Sequence, residues 1–164
     1  MIVTDESLLR KECKDASIFE ASEIIAKLEY ELKSSPISGI GLAANQIGID
    51  SKVFILRTPH ASLDFVNPKI IDKRDIRLLK NEGCLSFPGI YLTTKRYNEI
   101  FVIDFFRPNG IVCTGLESVV CQHEFGHLCG ETMFDYQIVE PKINEKCWCN
   151  SGLKYKKCCI NKQI

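Results

Sequence analysis

The sequence has no excess of either charge, few histidines and no long apolar run, and each shortage removes a class of function. Its 21 lysines and arginines are balanced by 21 aspartates and glutamates. No bulk field therefore draws the chain to nucleic acid or to an anionic membrane, and direct DNA binding is not expected. The longest apolar runs, such as "IFVI" at 100–103, fall far short of the ~20 residues that span a bilayer. The amino end, "MIVTDESLLRKEC", mixes both charge signs and has no apolar stretch of signal-peptide length. The cytoplasm is the expected location. Histidine occurs only at 60, 123 and 127, so two of the three standing in one helical turn is informative.

What is present suits one soluble domain. The length of 164 residues, with 45% hydrophobic and 26% charged side chains, supports a single core. Nine cysteines are many, and odd in number. Four of them crowd into "CWCNSGLKYKKCC" at 147–159. With no secretory signal, reduced thiols and metal ligands are expected rather than a disulfide framework. Cys13, Cys113, Cys121 and Cys129 are expected to be free thiols, mostly buried as small hydrophobes.

The clearest periodic segment is 17–34, "SIFEASEIIAKLEYELKS". Ile18, Ala21, Ile25, Leu28 and Leu32 follow a 3-4 spacing that predicts one buried helix face. Glu23–Lys27 and Glu29–Lys33 supply i,i+4 pairs on the polar side, and Pro36 ends the helix. Strands are expected at 52–57, 64–72, 75–80, 90–96, 99–106 and 111–115. "RPNG" at 107–110 should join the last two as a hairpin, its Asn-Gly supplying positive φ angles. A second helix is expected over about 116–130. An early helix, a block of mostly antiparallel strands and a late helix indicate an α+β fold. Residues 139–146 look like a linker between a domain at 1–138 and a small cysteine-rich unit at 147–164. The latter is too short for its own apolar core and needs a metal to fold.

The chemistry concentrates in "VVCQHEFGHLCG" at 119–130. Residues i and i+4 share a helix face about one turn apart. His123 and His127 can therefore hold one ion, with Glu124 beside them to handle a proton. Apolar neighbours Leu116, Val119, Val120, Phe125 and Leu128 place the pair in a buried stripe. A zinc protease would take a third ligand from downstream, but 128–140 offers Glu131, Asp135 and Glu140 and no histidine. Upstream, "NEGCLSFPG" holds Cys84 in a turn flanked by glycine. One Cys and two His form a three-ligand set that leaves a fourth position open.

"GIGLAANQ" (39–46), "EGCLS" (82–86) and "QHEFGH" (122–127), in this order, resemble the three signature motifs of the peptide deformylases, over roughly residues 1–138. The resemblance implies a fold of mixed, mostly antiparallel sheets around a central metal-binding helix. It also implies hydrolysis of the formyl group from N-formylmethionyl nascent polypeptides, with a metal-activated water as nucleophile. Carried over, Cys84, His123 and His127 would bind a catalytic divalent metal: ferrous iron natively, or zinc, nickel or cobalt. Glu124 would be the general acid/base, and Gln46 with the backbone N–H of Leu85 would stabilise the oxyanion. Gly39 and Gly41 would let an extended peptide lie close, and Gly83 is a further candidate substrate-binding residue. Ile40, Leu116, Val119 and Val120 would line a pocket for methionine, with plain core packing as the alternative. Gly126 stands where the family usually has aspartate, and Asn45 where proline is common, the latter expected to matter little.

The tail resembles the small zinc-binding motif at the carboxyl end of the SecA translocation ATPase. That resemblance implies a structural zinc on Cys147, Cys149, Cys158 and Cys159. Lys146, Lys154, Lys156, Lys157 and Lys162, with Trp148 and Tyr155, make it basic and aromatic. Such a knob suits docking to the ribosome or an acidic protein. Two competing readings remain at this point: a small His-Glu-x-x-His metallopeptidase, and a non-catalytic binding protein stabilised by metal.

Overall fold

The computed structural model describes residues 1–162 and 164. Its elements in chain order are α1 (Glu6–Leu9), α2 (Ile18–Ser34), β1 (Gly41–Ala43), β2 (Val53–Arg57), β3 (Ser62–Val66), β4 (Lys69–Gly83), β5 (Tyr91–Ile103), β6 (Ile111–Thr114) and α3 (Gly115–Leu128). Short 3-10 turns occupy Ala44–Ile47, Met133–Tyr136 and Tyr155–Lys157. The strands form two antiparallel three-stranded sheets, β1-β2-β3 and β4-β5-β6. No described helix is long and apolar enough to cross a membrane.

β2 explains the layering. Successive side chains of a strand point to opposite faces, and Val53, Phe54, Ile55 and Leu56 are all fully buried. Val53 and Ile55 pack under α2 with Ala21, Ile24, Leu28 and Leu32. Phe54 and Leu56 face the other way, onto Val120, Cys121 and Leu128 of α3. The first sheet is thus sandwiched between two helices. Ile100, Val102 and Cys113 of the second sheet close the far side of α3. Such a helix is covered nearly all round, which accounts for the buried Ser118, Gln122 and Glu124 beside its apolar residues.

Several local expectations are corrected. The buried stripe of α2 is Ala21, Ile24, Leu28 and Leu32, whereas Ile18 is exposed and Ile25 half-buried. The helix docks one position round from the face chosen by spacing. The i,i+4 pairs form as expected, with Lys27–Glu23 at 2.7 Å and Lys33–Glu29 at 2.9 Å. Four expected strands merge into two long ones. The break comes at Asn67-Pro68, where Asn67 takes φ 51° and proline has no N–H to donate. Beyond it β4 passes through Asp75 at φ 54° without losing register, Arg74 facing Glu99 and Ile76 facing Tyr97. The expected turn at 107–110 forms, closed by Gly110 N–H to the Arg107 carbonyl at 3.0 Å, but only Gly110 takes positive φ, 83°, and Asn109 does not. Paired backbone bonds between Asp104 and Arg107, both 3.2 Å, close the loop further.

All nine cysteines are free. Of the four outside the motifs, Cys13, Cys113 and Cys121 are buried and Cys129 is half-buried. The segment expected as a linker is tied at several points. The Glu140 carboxylate accepts from the Tyr155 hydroxyl at 2.6 Å and pairs with Lys80 at 3.0 Å. Tyr155 N–H donates to the Glu145 carbonyl at 2.8 Å. Tyr155 itself is buried, 1% exposed, and packs with Leu78 of β4, Cys147 and Cys159. It is core of the tail rather than part of an aromatic surface.

Candidate active site

Three elements converge on one point. α3 contributes His123, Glu124 and His127, the turn after β4 contributes Cys84, and the 3-10 turn after β1 contributes Gln46. The ligand atoms of Cys84, His123 and His127 lie within 4.8 Å of one another, with Cys84 Sγ 3.3 Å from His127 Nε2. Tetrahedral coordination with metal–sulfur and metal–nitrogen bonds of about 2.3 and 2.1 Å sets ligands roughly 3.6 Å apart. The cluster therefore has room for one ion. The downstream carboxylates are committed elsewhere: Glu131 accepts from the Tyr136 hydroxyl, Asp135 pairs with Arg10, and Glu140 holds Lys80.

A buried charge chain orients His123. Its Nδ1 lies 2.7 Å from Glu82 Oε1, leaving Nε2 for an ion. Glu82 accepts from Arg96 Nε at 2.9 Å, Arg96 Nη2 at 2.5 Å and Thr94 Oγ1 at 2.5 Å. Burial raises the pKa of the Glu82 carboxyl, but the His123 and Arg96 contacts outweigh it and hold the group well below the usual carboxylate range. Arg96 also stacks on Tyr136, 4.0 Å from the ring centroid. For His127 burial pushes the pKa well below the ordinary imidazole value, and neutral imidazole is the form that binds metal. Sequence reasoning passed over Glu82 and Arg96. Nothing in the spacing of two residues fourteen apart marks them as a pair until β4 and β5 lie side by side.

Glu124 is 4% exposed, and its Oε2 has no hydrogen-bond partner. Burial pushes its carboxyl up to about 7. A buried carboxylate oxygen without a protein partner, one residue from a clustered histidine, is chemically able to accept a proton. Gly41 makes this placement possible. A Cβ there would stand 2.6 Å from Glu124 Oε1 and 2.7 Å from Val120 Cγ1. Gly41→Ala should displace Glu124 and lower kcat by about 100-fold, an effect of the size seen for misplacement near 1 Å. Steady-state kinetics with metal content measured in parallel checks this.

Gln46, 1% exposed, accepts from Ala43 N–H through Oε1 at 2.9 Å. Its Nε2 consequently points at the cluster, 3.4 Å from Cys84 Sγ and 3.2 Å from Ser86 Oγ. Leu85 occupies the turn closed by Phe87 N–H to the Cys84 carbonyl, 3.0 Å. Asn45 turns out to have a partner of consequence: its Nδ2 donates to the His127 carbonyl at 2.6 Å, tying the end of α3 to the turn that carries Gln46.

A cleft of about 310 Å³ opens over the cluster, and Gly39, Ile40, Gly41, Gly83, Leu116, Val119 and Val120 all line it. Val119 and Val120 are also core, 4% and 5% exposed, while Leu116 is 40% exposed at the rim. Ile37, Leu79, Phe87, Ile90 and Tyr91 line it too and were not singled out from the sequence. Gly126, by contrast, faces away. The nearest atoms a Cβ there would meet belong to Glu131, at ordinary contact distances of 3.8–3.9 Å. Gly126→Ala should therefore stabilise the fold by about 1 kcal/mol through helix propensity alone, read as a rise in the urea midpoint with metal content unchanged.

The family model for polypeptide deformylase matches residues 1–143. The chain belongs to the peptide deformylase family. It is 34% identical to the peptide deformylase of Borreliella burgdorferi, over 95% of this chain and 99% of that one. With that of Karelsulcia muelleri it shares 33% identity over 82% and 76% of the two chains. The Synechococcus elongatus peptide deformylase, solved in complex with actinonin, superposes with a TM-score of 0.75 at 31% identity, covering 85% of this chain and 78% of that one. The Thermotoga maritima enzyme gives 0.72 at 29%, over 85% and 97%. The α+β fold and the enzyme class expected from the motifs stand. As a deformylase the protein is a metal-dependent hydrolase that removes the formyl group from N-formylmethionyl polypeptides.

A second model, the SEC-C motif, matches 144–161. There Cys147, Cys149, Cys158 and Cys159 offer sulfurs within 4.8 Å of one another. Neighbouring separations are 3.4–3.6 Å, against roughly 3.8 Å between sulfurs in a tetrahedral thiolate zinc site. The Ser151 hydroxyl, with other bonds in the cluster, draws the Cys149 thiol down to about 6, toward the thiolate that binds metal.

Proposed function

We propose that this deformylase holds its catalytic ion on Cys84, His123 and His127 and uses Glu124 as the group that moves the proton. The observation that carries this is the unpartnered, buried Glu124 carboxylate next to a three-ligand cluster of one sulfur and two nitrogens. The ion, ferrous iron natively with zinc, nickel or cobalt as substitutes, supplies Lewis acidity at the formyl carbonyl and toward water. The residues supply the rest. Glu124 accepts the proton of the attacking water and returns it to the leaving amine, a task suited to a carboxyl whose pKa burial raises toward neutrality. The Nε2 of Gln46, aimed by its own Oε1 bond, and the N–H of Leu85 stabilise charge on the former carbonyl oxygen. β1 is the outer strand of its sheet, so the peptide can add along Gly39–Gly41 by backbone pairing. Its methionine then enters the cleft beside Val119, Val120, Leu116 and Ile40, and Gly83 borders the site opposite.

Incubation with formyl-Met-Ala-Ser tests the reading. Formate should be released and the Met–Ala bond left intact, whereas peptide-bond cleavage would point to the metallopeptidase alternative. Absence of turnover after anaerobic iron loading would point to the non-catalytic one.

For the tail we infer a structural zinc on the four cysteines. Lys146, Lys154, Lys156, Lys157 and Lys162 are all exposed on it, which fits a ribosomal or acidic protein surface in the cytoplasm, where nascent chains emerge. Metal analysis should find close to two ions per chain, one for each cluster. Co-sedimentation with ribosomes should weaken when 141–164 are deleted, and unchanged co-sedimentation would refute the docking role.

A further inference from the structure

β4 is the outer strand of the second sheet; it carries Glu82 near its end and leads directly into Cys84 in the turn that follows. Its own ladder to β5 is broken just before them. From Asp72 pairing runs regularly to Leu79↔Thr94, then skips Lys80 and Asn81 and resumes at Glu82↔Leu92. Asn81 sits at φ 60°, a conformation that costs a non-glycine residue energy. The backbone ladder to β5 is therefore interrupted just before Glu82 and Cys84, although the Glu82 side chain is still tied to Arg96 and Thr94 of β5.

The opposite edge of β4 is held at this place by the tail. In an antiparallel ladder alternate residues direct both backbone groups away from the partner strand. Leu78 is such a residue. Its N–H donates to the Lys162 carbonyl at 3.1 Å, and its carbonyl accepts from Ile164 N–H at 3.0 Å. The Leu78 side chain is fully buried against Cys147, Tyr155 and Cys159, two of which belong to the four-cysteine cluster. Two residues on, Lys80 pairs with Glu140 at 3.0 Å, and Glu140 in turn accepts from Tyr155 at 2.6 Å. A unit of this size has no core that would hold its shape without cross-links or an ion.

We propose that the cysteine tail is a metal-dependent clamp on β4. Filling the four-cysteine site fixes the backbone at Leu78 and Lys80, and thereby positions Glu82 and Cys84 at the catalytic centre. The inference rests on the tail holding an ion, as proposed above. Emptying that site loosens the strand end, so the catalytic ion is held less firmly although none of its ligands has changed. The tail is a positioning element, and it touches neither substrate nor the reacting atoms.

Two variants of the full chain test this: Cys147→Ser combined with Cys159→Ser, and a chain ending at Asn161. The second keeps all four cysteines and removes both backbone partners of Leu78. Two readouts are needed besides turnover. One is hydrogen exchange across 78–84, and the other is the rate at which the catalytic ion passes to a competing chelator. Both variants should exchange faster over 78–84 and lose the catalytic ion up to about 10-fold faster, the lower end of what lost support behind a metal ligand costs. The double-serine variant should hold one ion and the Asn161-terminated chain two. Wild-type exchange and release rates in the Asn161-terminated chain overturn the clamp and leave the zinc assignment standing. A wild-type protein whose tail binds no ion overturns both. If the double-serine variant does not fold, the Asn161-terminated chain decides alone.

Discussion

Glu124→Gln should keep its metal and lose about 1000-fold in kcat, in the middle of the range for removal of a general acid–base group. The substitution is nearly isosteric, and Glu124 has no partner on Oε2, so no existing contact is broken there. The amide still fits beside Gly41 but neither accepts the proton of water nor returns it to an amine. Metal content by elemental analysis should equal that of the wild type, since Glu124 is not one of the three clustered ligands. Loss of metal together with turnover would show that Glu124 is a ligand and that its assignment as the base is wrong. The pH profile gives a second readout. With Glu124 as the proposed base, the acid limb of kcat/KM should fall as pH drops through the pKa of this group. Burial places that at about 7 without an ion, and the positive charge of a bound ion moves it lower. Glu124→Gln should abolish that limb.

Glu82→Ala should do damage of a different kind. It removes the acceptor of Arg96, Thr94 and His123 together. Arg96 is 1% exposed, so its charge would be left uncompensated in the interior, which costs about 3–5 kcal/mol. His123 would lose the contact that fixes its ring and tautomer, and such losses weaken metal affinity by about 10–100-fold. Thermal unfolding and chelator competition measure the two effects separately. Glu82→Gln retains an acceptor for His123 but not the charge facing Arg96, so it should recover more metal affinity than stability. Equal losses in both variants would show that charge alone matters. The wild-type pH dependence has the corresponding sign. The Glu82 carboxyl is depressed in the folded state from an ordinary value of 4.5, so its stabilisation is complete above that pH and is lost as pH falls toward the depressed value.

Much of the site was legible because its signals are local. His123, Glu124 and His127 need only helical periodicity to share a face, and the Cys147–Cys149 and Cys158–Cys159 pairs need only their spacing. Cys84 was legible through its glycine-flanked turn and the motif resemblance. Where reading by spacing went astray, a long-range contact had decided the matter. The buried face of α2 shifted from Ile18 and Ile25 toward Ile24 because β2 presents Val53 and Ile55 there. Asn45, judged of little consequence, meets the His127 carbonyl across 82 residues of sequence.

The sequence by itself determined the elements, the ligand types and their spacing, the family, and the presence of a second cysteine site. Each of these is written in side-chain identity within a few residues. Only the tertiary structure decided that Glu82 and Arg96 stand behind His123, that Gly41 makes room for Glu124, and that the tail pairs with Leu78. Glu82 and Arg96 meet across a register that no local pattern specifies. The bonds at Leu78 are made by backbone groups that every non-proline residue carries alike, so no choice of side chain announces them.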